Sequence, residues 1–508
     1  MLRLLPVLTG LLLVVSFPRA QQGYLAWVAF VPLIVYVGKS KTASRAFWGG
    51  FAAAVIEFFA LLIWIPTVLR NYGGLSAALA WAAYGLMVLL LACYPAAACA
   101  ATKRLMLTGG HAFLLLLPVL WVLMEYAQTL SPFGGFPWLQ AAYSQADYVR
   151  IVQMADITGV YGISFLILAV NTALAYCGLH RWRPGARVPL LAVLVVLGAC
   201  LVYGHVSLRR WGNLRPDFRA AMLQGNLSAD DTDEALGNKI RQGYQGLADR
   251  VTAEVDLLIL PESPTPVFFQ NDEAYRQMLQ RLAARYPLGL VFNNIRQAEA
   301  GGETQYFNSA FFMNPNGTLQ GIYDKIHLVP FGEYLPLKGL LFFAKTISRD
   351  VGGFSAGRDY RIVAIGNHPS NAIICFEAVF PALARRFTAG GSQLIINLTN
   401  DAWYGRSAAP YQHLAIARFR AVENRRYLLR AANSGISALI GPDGRIQAST
   451  GLFQEAICEG PFMFLGGTTL YTRYGDIFVF LCAIISCGSM ILAVMRHGAV
   501  LKRYTEEE

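Results

Sequence analysis

The stretch NAIICFE, residues 371–377, runs through apolar residues to Cys375 and then to the acid Glu377. Continuous runs of Val, Ile and Leu are typical of strands buried on both faces. Similar runs lie at FRAAMLQGN (218–226), DLLILPES (256–263), LGLVFNNI (288–295), QLIINLTND (393–401) and ISALIGPDG (436–444), with helical patterns at 272–286 and 411–433. This alternation predicts a layered α/β domain, in which reactive residues sit where strands end.

Three polar residues stand at such ends. Glu262 closes DLLILPES, Cys375 closes NAIICFE, and Lys325 follows the strand and turn of 306–321. A thiol with the ordinary pKa of about 8.5 is only slightly ionised at neutral pH, so a carboxylate that accepts its proton makes it an effective nucleophile. A fixed ammonium stabilises both the thiolate and the oxyanion formed on a carbonyl. Taken singly, Glu262 would be read as a solvated strand end and Lys325 as an ordinary surface cation. Together with Cys375 they suffice for acyl transfer without a metal or cofactor.

The rest of the chain is unusually apolar. Of its 508 residues 55% are hydrophobic and 14% are charged, against roughly 25% charged in an average soluble protein. Apolar runs near the spanning length of about 17–25 residues, or somewhat shorter, lie at 4–17, 24–37, 46–69, 75–98, 112–127, 157–177, 188–204 and 474–495. We therefore expect eight spans, arranged as a membrane domain (1–204), an inserted α/β domain (205–473) and a last span with its tail (474–508). A cleaved signal peptide is an alternative for the first run, although Pro18-Arg19-Ala20 is a poor cleavage site.

Cations predict the orientation of these spans, because Lys and Arg concentrate on the cytoplasmic side. The loops after spans two, four and six and the tail after span eight hold Lys39, Lys41, Arg45, Lys103, Arg104, Arg181, Arg183, Arg187, Arg496, Lys502 and Arg503. The alternate loops carry only Arg19, Arg70 and Arg150. We expect both termini in the cytoplasm and the inserted domain on the periplasmic side. The net charge of +11 follows largely from these loops and is no evidence for nucleic acid binding.

Three segments carry a family resemblance. LPESP (260–264), YDKIHLVPFGEYLP (323–336) and ICFE (374–377) resemble the signature segments of the nitrilase superfamily, with its Glu-Lys-Cys triad. Eight spans around such a domain, together with QGN (224–226), NLTNDAWYG (397–405) and FPWLQAAYSQ (136–145), resemble the apolipoprotein N-acyltransferase family over nearly the whole chain. The resemblance implies a nitrilase-like αββα exported domain on a polytopic helical membrane protein, with no cofactor and no metal.

The resemblance also implies roles for individual residues. Glu262 matches the general base, Lys325 the lysine and Cys375 the nucleophile. Further supporting or substrate-binding candidates in the matching segments are Glu333, which would orient the triad, and Glu377, Phe376, Trp138, Tyr334 and Trp403. Two features depart from the family's pattern: Phe376 stands where many members have tyrosine, and the acidic stretch 227–237 lacks an expected tryptophan.

The activity that the resemblance implies has two half-reactions in a bacterial inner membrane. Cys375 takes an acyl group from a membrane phospholipid, typically phosphatidylethanolamine, and releases a lysophospholipid. The α-amine of the diacylglyceryl-cysteine at an apolipoprotein's N-terminus then attacks the thioester. The residues leave two alternatives open: a nitrilase-like amidase that releases the acyl group to water, and a non-catalytic scaffold or transporter. Intramembrane charges, which usually mark a transport path, are few, chiefly Glu57 and Glu125.

Three smaller questions also remain open. Cys458 is the other cysteine of the inserted domain, so a disulfide with Cys375 is an alternative to a free nucleophile in an oxidising compartment.

The arginines of 411–433 fit either lipid phosphates or a face that is solvated or ion-paired. The segment LKGLLFFAKTIS (337–348), with Phe342 and Phe343, fits either the domain core or a mobile arm that dips into the outer leaflet and guides an acyl chain.

Overall fold

The chain forms two compact units. The computed structural model describes all residues except 1, 72, 132, 228–232, 263–266, 301–302, 335–352 and 507–508. A helical unit comprises Met1–Ile63, Trp81–Ser207 and Tyr474–Glu508, and a second unit comprises Trp64–Ala80 and Leu208–Arg473.

Helices occur in all eight apolar ranges. They are α1 (Leu5–Ser16), α2 (Ala26–Ala29), α3 (Val31–Lys39), α4 (Ala43–Leu61), α5 (Ile65–Asn71), α6 (Ala77–Gly109), α7 (Leu117–Ala127), α8 (Val149–Val152), α9 (Ala155–Thr158), α10 (Val160–Leu179), α11 (Pro184–Gly212) and, later, α16 (Leu470–Tyr474) and α17 (Ile477–Glu506). Among the described residues, five helices are long and apolar enough to cross a membrane: α4, α6, α10, α11 and Ile477–Arg496 of α17. Three shorter apolar segments complete the set at Leu2–Ser16, Gly23–Lys39 and His111–Ala127. Membrane-spanning helices are thus confirmed, whereas the number eight is not exact.

The predicted third span, 46–69, is wrong at its end. α4 ends at Leu61, and a turn leads into α5, which belongs to the second unit. Pro66 stands in the first turn of α5, where its missing N–H breaks no helical hydrogen bond, whereas inside a longer helix it would break one. Trp64, just before α5, packs edge-to-face on Tyr404 of the same unit with ring centroids 4.8 Å apart.

The two intramembrane glutamates lie together in the helical unit. Glu57 and Glu125 are both buried and line one cavity of about 20 Å³. Oε1 of Glu125 accepts hydrogen bonds from the Ala141 N–H (2.8 Å) and the Trp121 indole (3.2 Å). Glu125 therefore ties the end of α7 to the loop that follows it, which is a structural role.

The described residues of the second unit form twelve strands. They are β1 (Phe218–Gln224), β2 (Leu257–Ile259), β3 (Gly289–Ala300), β4 (Glu303–Met313), β5 (Leu319–Asp324), β6 (Val363–Ile365), β7 (His368–Ile374), β8 (Ile395–Thr399), β9 (Leu428–Ala432), β10 (Ala438–Ile440), β11 (Ile446–Ser449) and β12 (Ala456–Phe462). They form two six-stranded sheets, in the orders β12-β1-β2-β3-β4-β5 and β11-β10-β9-β8-β7-β6. Each sheet has three parallel central strands, β1-β2-β3 or β7-β8-β9, and antiparallel strands at its edges.

The two sheets pack face to face, with β1 against β9 and β4 against β7. The helices α12 (Asp233–Ala248) and α13 (Glu273–Ala283) pack on the first sheet, and α14 (Pro381–Ala389) and α15 (Ala409–Asn424) on the second. Apolar side chains of α12, α13 and β1–β4 form a core that includes Tyr244, Leu279 and Phe292. The predicted nitrilase-like αββα architecture is confirmed.

The predicted helix 411–433 is too long. α15 ends at Asn424, Arg425 adopts a left-handed backbone (φ 51°, ψ 54°), and the following residues form β9 because their apolar run is buried within the second sheet. The arginines of this range are all buried: Arg418, Arg420, Arg425, Arg426 and Arg430. Most bind backbone carbonyls, as Arg426 does with Ser392 (2.7 Å). Their side chains are therefore accessible neither to solvent nor to lipid phosphates.

Candidate active site

Three strand ends place the predicted triad. Glu262 follows β2 and Lys325 follows β5, both in the first sheet, whereas Cys375 follows β7 in the second. All three side chains are buried. Because the sheets pack face to face, residues more than a hundred positions apart in the chain meet in one polar cluster inside an apolar interior.

Lys325 is held between two carboxylates. Its Nζ lies 2.7 Å from Oε1 of Glu333 and 3.7 Å from Oε1 of Glu262. Burial by itself lowers the pKa of Lys325, but the charges of Glu333 and Glu262 outweigh it, so this pKa is raised overall. Lys325 therefore stays a cation and presents a fixed positive charge to the Cys375 sulfur.

Asn308, on β4, connects the two carboxylates. Its Nδ2 donates to Oε1 of Glu262 (2.8 Å) and to Oε1 of Glu333 (2.9 Å). Its own Oδ1 accepts from Nδ2 of Asn293 (2.6 Å), and its carbonyl accepts from the Lys325 N–H (2.8 Å). One asparagine thus sets the spacing of both acids and of the lysine backbone.

Glu262 is placed to accept a proton from the thiol. Its Oε2 accepts from the Asn400 N–H (2.9 Å), and the carboxylate accepts a hydrogen bond from Cys375. Burial raises the pKa of Glu262, and the negative charge of Glu333 adds to this, while Lys325 and the hydrogen bond from Asn308 oppose it. A raised carboxylate pKa makes Glu262 a stronger base than an exposed glutamate.

Cys375 is a protonated thiol at rest. Burial, followed by the negative charge of Glu262, raises its pKa to about 12, while Lys325 and a hydrogen bond with Thr399 oppose the rise. Its backbone has a φ of 50°, in the left-handed region that non-glycine residues seldom adopt. Backbone strain of this kind collects at functional sites, where the surrounding structure holds it. The hydrogen bond to Glu262 is the contact through which this thiol could lose its proton.

Glu377 holds the residues on either side of the site. Its Oε1 accepts from the Tyr323 hydroxyl (2.7 Å) and from the N–H groups of Ile326 (2.7 Å) and His327 (3.1 Å). Its Oε2 accepts from the Ile374 N–H (2.7 Å). Burial raises the pKa of Glu377 to about 6, although these hydrogen bonds lower it. The carboxylate binds the backbone before the cysteine to the backbone after the lysine.

The other predicted supporting residues in this unit have different surroundings. Phe376 packs edge-to-face on Phe380, with ring centroids 5.2 Å apart, so it belongs to an aromatic cluster next to the thiol. Tyr334 follows Glu333, and its carbonyl accepts from the Phe331 N–H (2.8 Å) in the turn that carries that acid. Trp403 is partly exposed, in the 3-10 helix Asp401–Tyr404.

Three further candidates lie elsewhere. Trp138 belongs to the helical unit, where its buried indole stacks on Phe136 with centroids 5.6 Å apart. Phe342 and Phe343 lie outside the described residues, so the arm stays a prediction. Cys458 is a buried free thiol on β12, and Cys375 is also free. The disulfide alternative is therefore wrong.

Sequence reasoning missed Asn308 and His413. Asn308 interrupts an apolar strand, FNSAFF, and Asn293 does the same in LVFNNI; an amide at a buried strand position is the signal for such a hydrogen-bonded site. His413, on α15, donates through Nε2 to the Cys375 carbonyl (3.1 Å). Within the described part of the chain, no group of three or more His, Cys, Asp or Glu side chains could hold a metal ion.

Both parts of the chain match known family models. Residues 9–173 match the apolipoprotein N-acyltransferase N-terminal domain, and residues 219–461 match the carbon-nitrogen hydrolase domain. Among solved structures, an amidase from Nesterenkonia sp. is similar at 19% identity, with 52% of this chain and 97% of that one covered and a TM-score of 0.39.

Relatives match over nearly the full length. The apolipoprotein N-acyltransferase of Geobacter metallireducens is 37% identical over 503 residues, covering 97% of this chain and 94% of that protein. That of Methylococcus capsulatus is 33% identical over 485 residues, covering 93% and 92%. The chain therefore belongs to the apolipoprotein N-acyltransferase family.

Proposed function

We propose that this acyltransferase N-acylates the N-terminal diacylglyceryl-cysteine of apolipoproteins with a phospholipid acyl group, through a thioester on Cys375. The observation that supports it best is the buried cluster itself. Glu262 accepts a hydrogen bond from Cys375, and the ammonium of Lys325 lies 3.7 Å from Glu262. A thiol that is hydrogen-bonded to a base, which is itself paired with a cation, matches the needs of acyl transfer.

In the first half-reaction, the thiol proton passes to Glu262 as the sulfur attacks the ester carbonyl of the phospholipid. Lys325 stabilises the oxyanion that forms. The C–O bond then breaks, Glu262 returns its proton to the leaving alkoxide, and a lysophospholipid departs. Since the pKa of the free thiol is raised to about 12, the proton transfer to Glu262 and the charge of Lys325 are both required for attack at neutral pH.

In the second half-reaction, the α-amine of the acceptor attacks the thioester carbonyl. The amine proton passes to Glu262 and from there to the departing sulfur, which restores the resting thiol. An α-amine has a pKa of about 8, so an appreciable fraction is neutral and nucleophilic near physiological pH. The product amide is more stable than the thioester, so this step runs downhill.

The donor and the setting are also part of the proposal. The family implies phospholipid and lipoprotein substrates; we propose phosphatidylethanolamine as the donor. The chain is a bacterial membrane protein. The distribution of Lys and Arg supports a place in the inner membrane, with both termini in the cytoplasm and the second unit on the periplasmic side. An impermeant amine-labelling reagent added to intact spheroplasts should label lysines of the second unit, such as Lys239, and not Lys502.

The decisive experiment follows the acyl group by mass. Full-length protein in phosphatidylethanolamine-containing bilayers should gain the mass of one acyl chain on Cys375, and a diacylglyceryl-cysteine peptide should then remove it as an N-acylated product. Cys375→Ala should gain no acyl chain, whereas the matched variant Cys458→Ala should acylate as the wild type does.

Each alternative has its own outcome. A hydrolase would release free fatty acid continuously in the absence of the peptide. That result would contradict the transferase proposal and support the alternative of a nitrilase-like amidase that releases the acyl group to water. A scaffold or transporter would show no adduct on Cys375 at all, and full transfer by Cys375→Ala would eliminate the covalent mechanism.

A further inference from the structure

A second polar cluster lies next to the backbone of Cys375. It consists of Asp401 after β8, His413 on α15 and Arg430 on β9, none of which is exposed to solvent. Oδ2 of Asp401 accepts from Nη2 of Arg430 (2.6 Å), and its Oδ1 lies 3.1 Å from Nδ1 of His413. Burial raises the pKa of Asp401, but the charge of Arg430 and the hydrogen bonds with His413 and Arg430 together outweigh burial and lower this pKa to about 2, so this acid is ionised.

The hydrogen bonds of His413 determine which nitrogen carries a proton. Nε2 lies 3.1 Å from the Cys375 carbonyl oxygen, which can only accept, so Nε2 carries a hydrogen. In the neutral ring Nδ1 accepts from Arg430 (3.1 Å); in a protonated ring Nδ1 donates to Asp401. The bond to Cys375 is the same in both states. His413 therefore has no free base directed at the thiol and acts on the backbone.

That backbone needs support. Cys375 has a φ of 50°, in the left-handed region where a non-glycine residue is strained. One residue before Cys375, the Ile374 N–H donates a hydrogen bond to Glu377. The Cys375 carbonyl is held by His413. The direction of the thiol depends on both.

We propose that His413 is a positioning residue for the nucleophile: its Nε2–H holds the Cys375 carbonyl and so keeps the thiol directed at Glu262. The neighbouring backbone strengthens the inference, because Asn400 donates its N–H to Oε2 of Glu262 (2.9 Å). The dipeptide Asn400-Asp401 thus holds the base directly and the nucleophile through His413. The inference rests on the proposed function, since it concerns the same thiol.

Two amide substitutions separate the roles of the two ring nitrogens. In His413→Gln the amide nitrogen occupies the place of Nε2 and can still donate to Cys375. In His413→Asn the amide reaches only the place of Nδ1, near Asp401. We expect His413→Asn to lower the rate of Cys375 acylation at saturating phospholipid by about 10²-fold, the scale of a misplaced reacting group, with KM unchanged. His413→Gln should stay close to the wild-type rate.

The rates are measured per folded molecule in the full-length protein, by intact mass after single turnover with phosphatidylethanolamine vesicles. Protection of the buried Cys458 against an alkylating reagent, read by peptide mapping, counts the folded molecules. The rate at which a small alkylating reagent modifies Cys375 gives a second readout that needs no phospholipid, and it should follow the same order. His368→Asn is the matched control, since His368 begins the strand that Cys375 follows and bonds Gln393 instead.

Equal rates per folded molecule in the Gln and Asn variants would overturn the inference, because a purely structural histidine affects the folded fraction and not the chemistry. If His413→Asn does not fold, His413→Gln still decides: a loss of its acylation overturns the inference, and retention supports it. Absence of any acyl adduct on wild-type Cys375, with normal alkylation in the expected order, would instead contradict the proposed function.

Discussion

The carboxylate of Glu377 accepts a hydrogen bond from the backbone N–H of Ile326 at 2.7 Å. Ile326 directly follows Lys325, and Glu377 lies two residues after Cys375. The acid also accepts from Ile374, just before the nucleophile. A single buried side chain therefore joins the two sheets at the point where their reactive residues meet.

Replacing Glu377 by glutamine should disrupt the hydrogen bonds that connect the two sheets. Four donors point at the carboxylate, and the NH₂ group of glutamine would face at least one of them. Hydrogen bonds to charged groups contribute about 1.5–3 kcal/mol each, so we expect Glu377→Gln to lower the free energy of unfolding by about 3 kcal/mol. Acylation per folded molecule should also fall. Glu455→Gln, at an exposed ion pair, is the control. Equal melting temperatures for the two variants would show that the hydrogen bonds to Glu377 do not contribute to stability.

Replacing Asn308 by aspartate tests the spacing of the two acids. The substitution keeps the size but removes the donor between Glu262 and Glu333 and puts a third carboxylate beside Lys325. Losing one preorganised donor at such a site costs about 10²-fold in rate, so we expect at least that loss in single-turnover acylation. Asn316→Asp, in an exposed turn, should acylate normally. Wild-type rates in Asn308→Asp would mean that the asparagine does not set the geometry.

The pH dependence of acylation should report Glu262. The acid must be ionised to accept the thiol proton, and its pKa is raised by burial and by Glu333. The rate should therefore rise with pH through a pKa above the ordinary glutamate value of about 4.3. Glu333→Gln removes a negative charge that raises this pKa, so the acid limb should move to lower pH while the maximum rate falls. A limb that stays in place or moves upward in Glu333→Gln would contradict the assignment of Glu262 as the base.

Removing Cys458 should leave the chemistry intact. Its thiol is buried on β12, opposite Met222 of β1, and loss of one buried heavy atom costs about 1 kcal/mol of stability. We expect Cys458→Ala to melt slightly earlier and to acylate at the wild-type rate per folded molecule. A defect comparable to that of Cys375→Ala would show that the second thiol takes part in the reaction.

The sequence predicts much of this arrangement because strands buried on both faces leave continuous apolar runs. Glu262, Lys325 and Cys375 stand out at the ends of such runs, and the layered α/β fold follows from the same pattern. Asn308 marks a hydrogen-bonded position in a buried strand, but one amide in a strand does not identify the two acids that it will contact. His413 contacts a carbonyl 38 residues away, a pairing that only the packing of α15 creates. The prediction from hydropathy extended the third span past Leu61. Hydropathy measures polarity and does not detect that Pro66 favours the first turn of a new helix over the interior of a long one.

The division of the reactive residues between two sheets has a consequence for the newly made protein. Glu262 and Lys325 belong to one sheet and Cys375 to the other, so a domain with only one sheet formed has either a thiol without its base or a base without its thiol. Its cysteine is then no better at cleaving esters than any free thiol. Until both sheets have formed and packed together, the proposed base and the proposed nucleophile do not meet, and the domain has no site competent for acyl transfer.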